Sequence, residues 1–448
     1  MPIFARRRLQ TMLNDLGPRL TAADASDLLA RLEHKDTKSA LAAEFELALL
    51  WGIARVADLK VYPEFPGTLK RPEALSADLF GSGPAVIEIT ALSDDTFSGQ
   101  ADMDRAANMM AQFADRTRKG SSKHLYFEFQ EARSYERGRH RRIRRVTRDF
   151  RLTRALEAVL QAWLESPDWP AINAVRLTDE QIDVVVHWKQ CVHPLYRACS
   201  SMPAVADDLE DNPVFKALHK KEQRQLSVAP AGVLKCVFLA DAGCELLRHL
   251  RPAGVTETGG EQVIRHFLAS STVDIVCVFS IHSSGYSTES SFSSRFWTAT
   301  PFDRRKSPPA GEHGKINVLV NSLPRPILEG NQARALHRQG AFHPQARGEY
   351  LGTHIESGRP SMSIKISSRL VQELLAGRIS PEQFRYFAFG KDKNFFEQQL
   401  SRGFTIESSH VEKKGLDDND DYLVFDLGPD FAASPLRKPG SDDTSLTP

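Results

Sequence analysis

The sequence predicts a mixed α/β protein, and three observations carry that prediction. Apolar residues recur at helical spacing from about residue 38 to residue 56. Apolar runs that are typical of strands follow near 59–62, 75–80 and 85–92. A helical pattern at 102–119 then precedes another strand pattern at 125–129. Because a helix that links two strands favours a right-handed crossover, we expect these elements to form one mixed sheet with flanking helices.

The composition is that of an ordinary globular protein. The chain has 448 residues, of which 41% are hydrophobic and 26% charged, and this excludes wholesale disorder and fibrous repeats. Lys and Arg (58) nearly balance Asp and Glu (57), so any attraction to nucleic acid must come from local clustering. Because there is no transmembrane stretch and no apolar signal core, and only five cysteines are present, we expect a cytoplasmic protein with reduced thiols and no membrane association.

The length favours two or three domains, and changes in pattern divide the chain into segments. These are an N-terminal helical segment (1–36), an α/β core (37–135), an Arg-rich helix with a second α/β region (136–281), a flexible polar excursion (282–315), a C-terminal α+β region (316–432) and a disordered tail (433–448). The second region either continues the core sheet or is a degenerate second copy of it. We expect the C-terminal region to begin with a strand at 316–320.

Two acidic residues lie on neighbouring strands of the predicted hairpin. If this hairpin is centred on Gly83, Asp78 and Glu88 are each five residues from the centre and are expected to face one another. Strand alternation places Glu88 and Thr90 on one face and Ile89 on the other, apolar face. Facing carboxylates repel each other, and a hard divalent cation such as Mg²⁺ would turn this repulsion into attraction.

These residues and the order of the surrounding elements resemble the PD-(D/E)XK, or restriction-endonuclease-like, nuclease superfamily. In that fold a helix with an acidic residue precedes three strands, an Asp begins the second, and a (D/E)-x-K triplet lies on the third, before a helix and a strand. Here Glu44 lies on the first helix, Ala77-Asp78 replaces Pro-Asp, and Glu88-Ile89-Thr90 replaces the triplet. The resemblance covers about residues 40–130, less than a quarter of the chain.

The resemblance implies that Asp78, Glu88 and the Ile89 carbonyl hold Mg²⁺ or Mn²⁺ for phosphodiester hydrolysis. Thr90 stands where the family has lysine, and its hydroxyl can position water but supplies no positive charge. Lys60 on the preceding strand is a candidate for a displaced lysine. The expected activity is that of an endonuclease or exonuclease that acts on nucleic acid, with DNA favoured.

Several alternatives stay open at this stage. Asp78 could be a surface residue near the turn and Glu88 an exposed strand position, and the chain could be a non-nuclease α/β protein whose Arg-rich segment binds a protein partner. The chain could be a catalytically inactive nuclease-fold subunit that binds nucleic acid or assembles with a partner, and a homodimer is equally compatible with the sequence. Glu44 could belong to the metal site, or it could be a solvated glutamate beside the apolar stripe of its helix. For the active enzyme, the resemblance makes genome defence or DNA processing the expected role.

Arginines are concentrated in one segment. Ten of them, against Glu136 and Asp149, lie between residues 133 and 154, which gives this segment a net charge of +8. If the segment is helical, five recur at spacings of four and three and form one stripe. These five are Arg137, Arg141, Arg144, Arg148 and Arg151. Because guanidinium groups bind phosphate oxygens, the stripe predicts contact with a nucleic-acid backbone, and a solvated charged face is the alternative.

Other motifs are weaker. The helical pattern at 212–226 carries Lys216, Lys220, Lys221 and Arg224, and is interpreted as an amphipathic surface helix or a second phosphate-facing helix. No Walker A sequence or dinucleotide-binding loop occurs, so we expect no nucleotide cofactor. The possible zinc ligands are His187, Cys191, His193 and Cys199. Because their spacing matches no familiar zinc ribbon or finger, we expect no zinc.

Overall fold

The structure is a computed structural model, and it describes part of the chain. The described residues are 3–66, 68, 70–95, 99–136, 139–144, 146–166, 173–189, 197–201, 206, 208–251, 258–283, 295–305, 311, 313–338, 353–357, 362–389 and 395–430. The predicted tail at 433–448 lies outside them.

The strands are β1 (Leu59–Val61), β2 (Ala74–Phe80), β3 (Gly83–Leu92), β4 (Leu125–Phe129), β5 (Glu131–Glu136), β6 (Arg139–Arg144), β7 (Ala174–Thr178), β8 (Asp183–Trp188), β9 (Arg197–Ser200), β10 (Leu234–Asp241), β11 (Ile275–Ser283), β12 (Arg295–Asp303), β13 (Thr353–Ser357), β14 (Met362–Ser367), β15 (Phe404–Glu412) and β16 (Tyr422–Pro429).

The α-helices are α1 (Arg6–Leu16), α2 (Ala22–Leu32), α3 (Thr37–Val56), α4 (Gln100–Thr117), α5 (Arg154–Leu164), α6 (Pro213–Arg224), α7 (Glu245–Arg248), α8 (Gly260–Ser270), α9 (Gly314–Ser322), α10 (Gly330–Arg338), α11 (Ser368–Leu375), α12 (Pro381–Phe389) and α13 (Phe395–Ser401). Within the described ranges, no helix combines the length and the apolar character needed to cross a membrane.

A six-stranded mixed sheet forms the core, in the order β1-β2-β3-β10-β11-β12. The first three strands are antiparallel, β3, β10 and β11 run parallel, and β12 returns antiparallel to β11. The apolar runs of β10 and β11 explain their central position, because a strand covered on both faces buries consecutive side chains. The mixed α/β class predicted from the sequence is therefore confirmed.

Helices cover both faces of this core sheet. The apolar side chains of α1, α3 and α9 pack on the face that carries Ile87 and Ile89. Those of α6 and α8 pack on the opposite face, together with Val86 and Val237. Strand alternation along β3 therefore sends successive side chains into two different hydrophobic cores.

The chain between β3 and α6 builds a separate unit, which we call the inserted unit (residues 100–206). Its sheet has the order β7-β8-β4-β9, and α4 and α5 cover the face that carries Leu125, Phe127 and Phe129. The expectation that β4 continues the core sheet is wrong, because β4 pairs with β8 and β9. Instead, β10 is the parallel neighbour of β3, and its residues pair with residues 149 positions earlier in the chain.

The C-terminal region also differs from the prediction in part. Residues 316–320 lie in helix α9, which buries Ile316 and Leu319 against α3 in the core, and do not form a strand. The expected polar excursion contains β12, an edge strand of the core sheet. Beyond α10, the sheet β13-β14-β16-β15 packs with α11, α12 and α13 around its own small core, as expected for an α+β region.

Candidate active site

The register of the β2–β3 hairpin decides which acidic residue faces Glu88. Ala74 pairs with Ile87 and Leu75 with Val86, so the next position outward brings Glu73 beside Glu88. The expectation that Asp78 faces Glu88 is wrong. The strands turn between Phe80 and Gly83, and an irregularity follows Ser76, so the centre of the hairpin is not at Gly83.

Asp78 is bound on the other side of the sheet. Its carboxylate accepts a hydrogen bond of 2.6 Å from Lys315 Nζ and one of 2.8 Å from the Asp58 backbone N–H. The bond from Lys315 is the main cause of the lowered pKa of Asp78. Lys315 belongs to α9, which packs on the α3 face, whereas Glu88 faces α6. Asp78 is therefore corrected from a candidate metal ligand to a surface ion-pair partner.

Glu73, Glu88 and Lys221 form a compact charged cluster that we call the Glu–Glu–Lys site. Lys221 Nζ donates to Glu73 Oε1 at 2.7 Å and to Glu88 Oε2 at 2.6 Å. Glu73 Oε2 also accepts a bond of 3.2 Å from the Ile89 backbone N–H. The side chain of Glu88 is fully buried, whereas those of Glu73 and Lys221 are 17% and 15% exposed. The site is thus deep but reaches the surface at its rim.

The fold positions Lys221 through the apolar stripe of α6. Asn212 caps this helix by accepting a hydrogen bond from the Phe215 N–H. Val214 and Leu218 are buried, and Lys221 lies three residues further on, so all three share the face that packs on β3. The long side chain of Lys221 then brings its ammonium group to the two carboxylates.

Two acidic groups share the one ammonium group of this site. Burial is the main cause of the raised pKa of Glu88, and the neighbouring Glu73 carboxylate raises it further. The two glutamates raise the pKa of Lys221 against the effect of burial, so Lys221 is held protonated. Glu88 Oε1 is buried and has no hydrogen-bond partner. A cation bound at this oxygen would displace the proton that the raised pKa of Glu88 favours.

Ile89 and Thr90 lie beside this site, and Lys60 contributes less than expected. Ile89 is linked to Glu73 through its backbone N–H. Thr90 is half-buried two positions after Glu88 on the same strand face. Lys60 lies on the edge strand β1 opposite Leu75, with an exposed side chain. The ammonium group beside Glu88 is that of Lys221 on α6, and Lys60 is not part of the Glu–Glu–Lys site.

Glu44 lies in the other core and holds the N-terminal segment. Its Oε2 accepts hydrogen bonds from the backbone N–H groups of Ile3 at 3.0 Å and Phe4 at 3.2 Å. Burial raises the pKa of Glu44 to about 7. Because α3 packs on the face opposite α6, the sheet separates Glu44 from Glu88. A metal role for Glu44 beside Glu88 is therefore wrong, and so is the solvated alternative, because the residue is fully buried.

The Arg-rich segment is a β-hairpin and not a helix. Strands β5 and β6 pair in an antiparallel register, with Ser134 opposite Arg141 and Glu131 opposite Arg144. Arg148 lies in a turn and Arg151 precedes α5, while Arg137 lies outside the described residues. The predicted stripe is thus wrong, because residues spaced by three and four align on a helix and not on a strand.

The possible zinc ligands are only partly described. His187 Nε2 lies 3.2 Å from Glu128 Oε2, and the Cys199 thiol lies 2.7 Å from the Tyr126 hydroxyl. Cys191 and His193 lie outside the described residues. Within the described part of the chain, no group of three or more His, Cys, Asp and Glu side chains is arranged to hold a metal ion.

A second buried charged cluster lies at the carboxyl ends of β3 and β10. Asp241 accepts hydrogen bonds from the Gly243 and Cys244 backbone N–H groups, at 2.8 and 2.7 Å. Arg334 of α10 donates to the Gly243 carbonyl at 2.8 Å. A Cβ added at Gly330 would come within 2.4 Å of the Asp241 carbonyl oxygen, so α10 closes over the cluster. These contacts fasten α10 to the carboxyl end of the core sheet.

Sequence reasoning missed Glu73 and read Lys221 only as one cation of a basic helix. One signal was available for Glu73, because Pro72-Glu73 directly precedes β2 and resembles the Pro-Asp pattern more closely than Ala77-Asp78 does. Nothing in the sequence brings Lys221 to β3, since 133 residues separate it from Glu88.

Comparisons with known proteins identified no relative of this chain. The chain matches no protein-family model, and neither the curated proteins nor the solved structures include a match to it.

Proposed function

We propose that the chain is a metal-dependent nuclease whose reaction centre is the Glu–Glu–Lys site. The observation that carries the proposal is that Glu73, just before β2, lies beside Glu88 of β3, with Lys221 bound to both and one Glu88 oxygen without a partner. Buried charges of this kind cost free energy, and they cluster where they serve chemistry.

The order of the core elements supports a restriction-endonuclease-like core. Helix α3 precedes the antiparallel strands β1, β2 and β3, and α6 leads into the parallel strand β10. In this proposal the resemblance extends over α3 to β10, with the inserted unit between β3 and α6. The acidic pair then lies immediately before the second strand and on the third strand, with Glu73 in place of Asp78.

Each residue has a proposed role. Glu73 and Glu88 would hold Mg²⁺ or Mn²⁺, with the unpartnered Glu88 oxygen as one ligand. A bound divalent cation lowers the pKa of water and neutralises charge on the phosphoryl oxygens. The Lys221 ammonium would orient the attacking water or the scissile phosphate, and the Thr90 hydroxyl would hydrogen-bond that water. The positive charge of residues 133–154 would attract the nucleic-acid backbone.

The experiment is a cleavage assay on plasmid and single-stranded DNA with Mg²⁺, Mn²⁺ or EDTA. We expect cutting that needs the metal and falls by about 100-fold or more in Glu88→Gln and in Glu73→Gln. Asp78→Asn is the matched control, because it removes a carboxylate from the same hairpin outside the site, and it should cut at the wild-type rate. Cutting that survives in Glu88→Gln, or disappears in Asp78→Asn, would contradict the proposal.

A second candidate function is a catalytically inactive subunit of the same fold that binds nucleic acid. The observation that favours it is the position of Lys221, whose ammonium already neutralises part of the charge that a metal would neutralise. Metal-independent binding without cutting, unchanged in Glu88→Gln, would support this function over the nuclease.

A further inference from the structure

Helix α6, which supplies Lys221 to the Glu–Glu–Lys site, carries further positive charge on its outer side. Its cations are Lys216, Lys220, Lys221 and Arg224, against one acidic residue, Glu222. Lys221 reaches inward to the two glutamates, whereas Lys220 and Arg224 are exposed. Because residues four apart are neighbours on a helix surface, Lys220 and Arg224 place two positive charges side by side on α6.

The opposite side of α6 faces β11. There the Glu222 carboxylate accepts hydrogen bonds from the backbone N–H of Thr272 at 2.6 Å and from its hydroxyl at 2.9 Å, just before β11 begins. Around the helix axis, Glu222 lies about 100° from Lys221 in one direction, whereas Lys220 and Arg224 lie about 100° and about 60° in the other. Since α6 packs over β3, which lies between β2 and β10, these two cations point across the sheet toward β2.

The segment that leads into β2 lies on this same side of α6. Lys70 Nζ donates a hydrogen bond of 3.2 Å to the hydroxyl of Ser227, which follows the end of α6. Lys70 is exposed and lies three residues before Glu73, at the rim where the Glu–Glu–Lys site reaches the surface. Three exposed cations therefore border this rim. We call them the basic flank, and they are Lys70, Lys220 and Arg224.

The charges of the basic flank are not neutralised by neighbouring side chains. Within the described ranges of the chain, none of its three cationic groups forms an ion pair with a carboxylate. Lys216 on the same helix differs, because its ammonium group is paired with Asp211. Unpaired cations in a row fit an anion whose negative charges repeat along a chain, because each cation can then contact its own anionic group.

We propose that the basic flank binds successive phosphate groups of a nucleic-acid backbone at the rim of the Glu–Glu–Lys site. Lys and Arg side chains bind phosphate oxygens, and such contacts position a nucleic acid without reading its bases. As an assignment of the residues that hold the substrate, this inference rests on the proposed nuclease function. As a binding surface, the basic flank does not depend on cleavage or on a metal ion.

The test is fluorescence anisotropy of the full-length protein with a labelled 12-base-pair DNA duplex in EDTA, over a series of salt concentrations. The double variant Lys220→Gln/Arg224→Gln removes both charges of α6 and keeps good helix-forming residues. It should weaken binding by about tenfold or more. It should also make the dependence of log affinity on log salt less steep by about 1.8, the value for two lost contacts with duplex phosphates.

Lys216→Gln is the matched control, because it removes a lysine from the same helix whose charge is already paired with Asp211. It should bind the duplex within about twofold of wild type. Lys70→Gln tests the remaining member of the basic flank from a different part of the chain. This variant should reduce the salt dependence by about 0.9, the value for one contact. Circular dichroism verifies that each variant is folded.

Three results would overturn the inference: a wild type that does not bind the duplex, unchanged binding in the double variant, or an equal loss in Lys216→Gln. Cleavage in Mg²⁺ or Mn²⁺ separates the two proposals. If wild type cuts nothing but the double variant binds more weakly than wild type, the nuclease proposal fails and the basic flank stands. If wild type cuts and the double variant binds and cuts normally, the basic flank fails alone. If both proposals hold, the double variant raises KM by about tenfold and leaves kcat within about twofold of wild type.

Discussion

Two glutamates are fully buried on opposite faces of the core sheet, and their surroundings differ. Glu44 on α3 accepts hydrogen bonds from two backbone N–H groups, which hold the segment before α1. Glu88 on β3 shares one lysine with a second carboxylate. Each has one carboxylate oxygen without a partner. Amides are fixed donors that tie chain segments together, whereas in our proposal the two acidic groups beside the ammonium also hold a metal ion.

The largest expected difference between the two glutamates is in catalysis. Glu88→Gln should lose about 100-fold or more of the metal-dependent cleavage rate, because a neutral amide binds Mg²⁺ poorly. Glu44→Gln should cut within about twofold of wild type, because the sheet separates residue 44 from the reaction centre. The measurement is the initial rate of DNA cleavage on proteins whose folding is verified by circular dichroism. Equal losses in both variants would contradict the division into a structural and a chemical glutamate.

The next effect is on stability, at the Glu88 side of the comparison. Lys221→Met should lower the free energy of unfolding by about 3–5 kcal/mol, because two acidic groups lose their shared cation. Adding Mg²⁺ should then raise the Tm of this variant more than that of wild type, since the metal and the ammonium compensate the same carboxylates. If the Tm of Lys221→Met does not change when Mg²⁺ is added, Glu73 and Glu88 do not bind a metal ion.

A smaller effect concerns pH, at the Glu44 side. The pKa of Glu44 is about 7 in the folded protein against an ordinary value of 4.5, because the carboxyl group is buried. Its contribution to stability is therefore complete below pH 4.5 and is lost as the pH rises through 7. The loss amounts to roughly 3 kcal/mol at alkaline pH.

Chemical unfolding of wild type and Glu44→Gln between pH 4.5 and pH 8 measures this contribution. The difference between the two proteins cancels other titrating groups, including Asp94, whose pKa burial raises to about 6. Wild type should lose stability relative to Glu44→Gln as the pH rises. A difference that stays constant across this interval would show that Glu44 does not titrate there.

The local pattern of the chain was predictable to a useful degree. The helix predicted at 38–56 is confirmed as α3, and the strand pattern at 85–92 is confirmed within β3. Both are rich in apolar residues, and the structure buries consecutive side chains of each on more than one face. The secondary structure of residues 316–320 was harder to predict, because a short apolar run has no clear period. The segment forms a helix that packs against α3.

The candidate site was only half predictable. Glu88 was predicted as a site residue because it interrupts an apolar strand, and an acidic residue between apolar neighbours is easy to recognise in a sequence. Its partners did not follow, because one irregular residue in a hairpin changes every cross-strand pairing beyond it. The secondary structure of the Arg-rich segment was also not predictable. Ten arginines within residues 133–154 are so dense that some of them fit a helical spacing and others a strand spacing.

The sequence by itself determined a mixed α/β chain, its main apolar strands and an acidic group at Glu88. Only the tertiary structure decided that β10 lies next to β3, that Glu73 faces Glu88, and that α6 brings Lys221 to both. The physical reason is the range of the forces involved. Periodicity is set by neighbours a few residues apart, whereas strand order and ion pairing depend on packing between segments far apart in the chain.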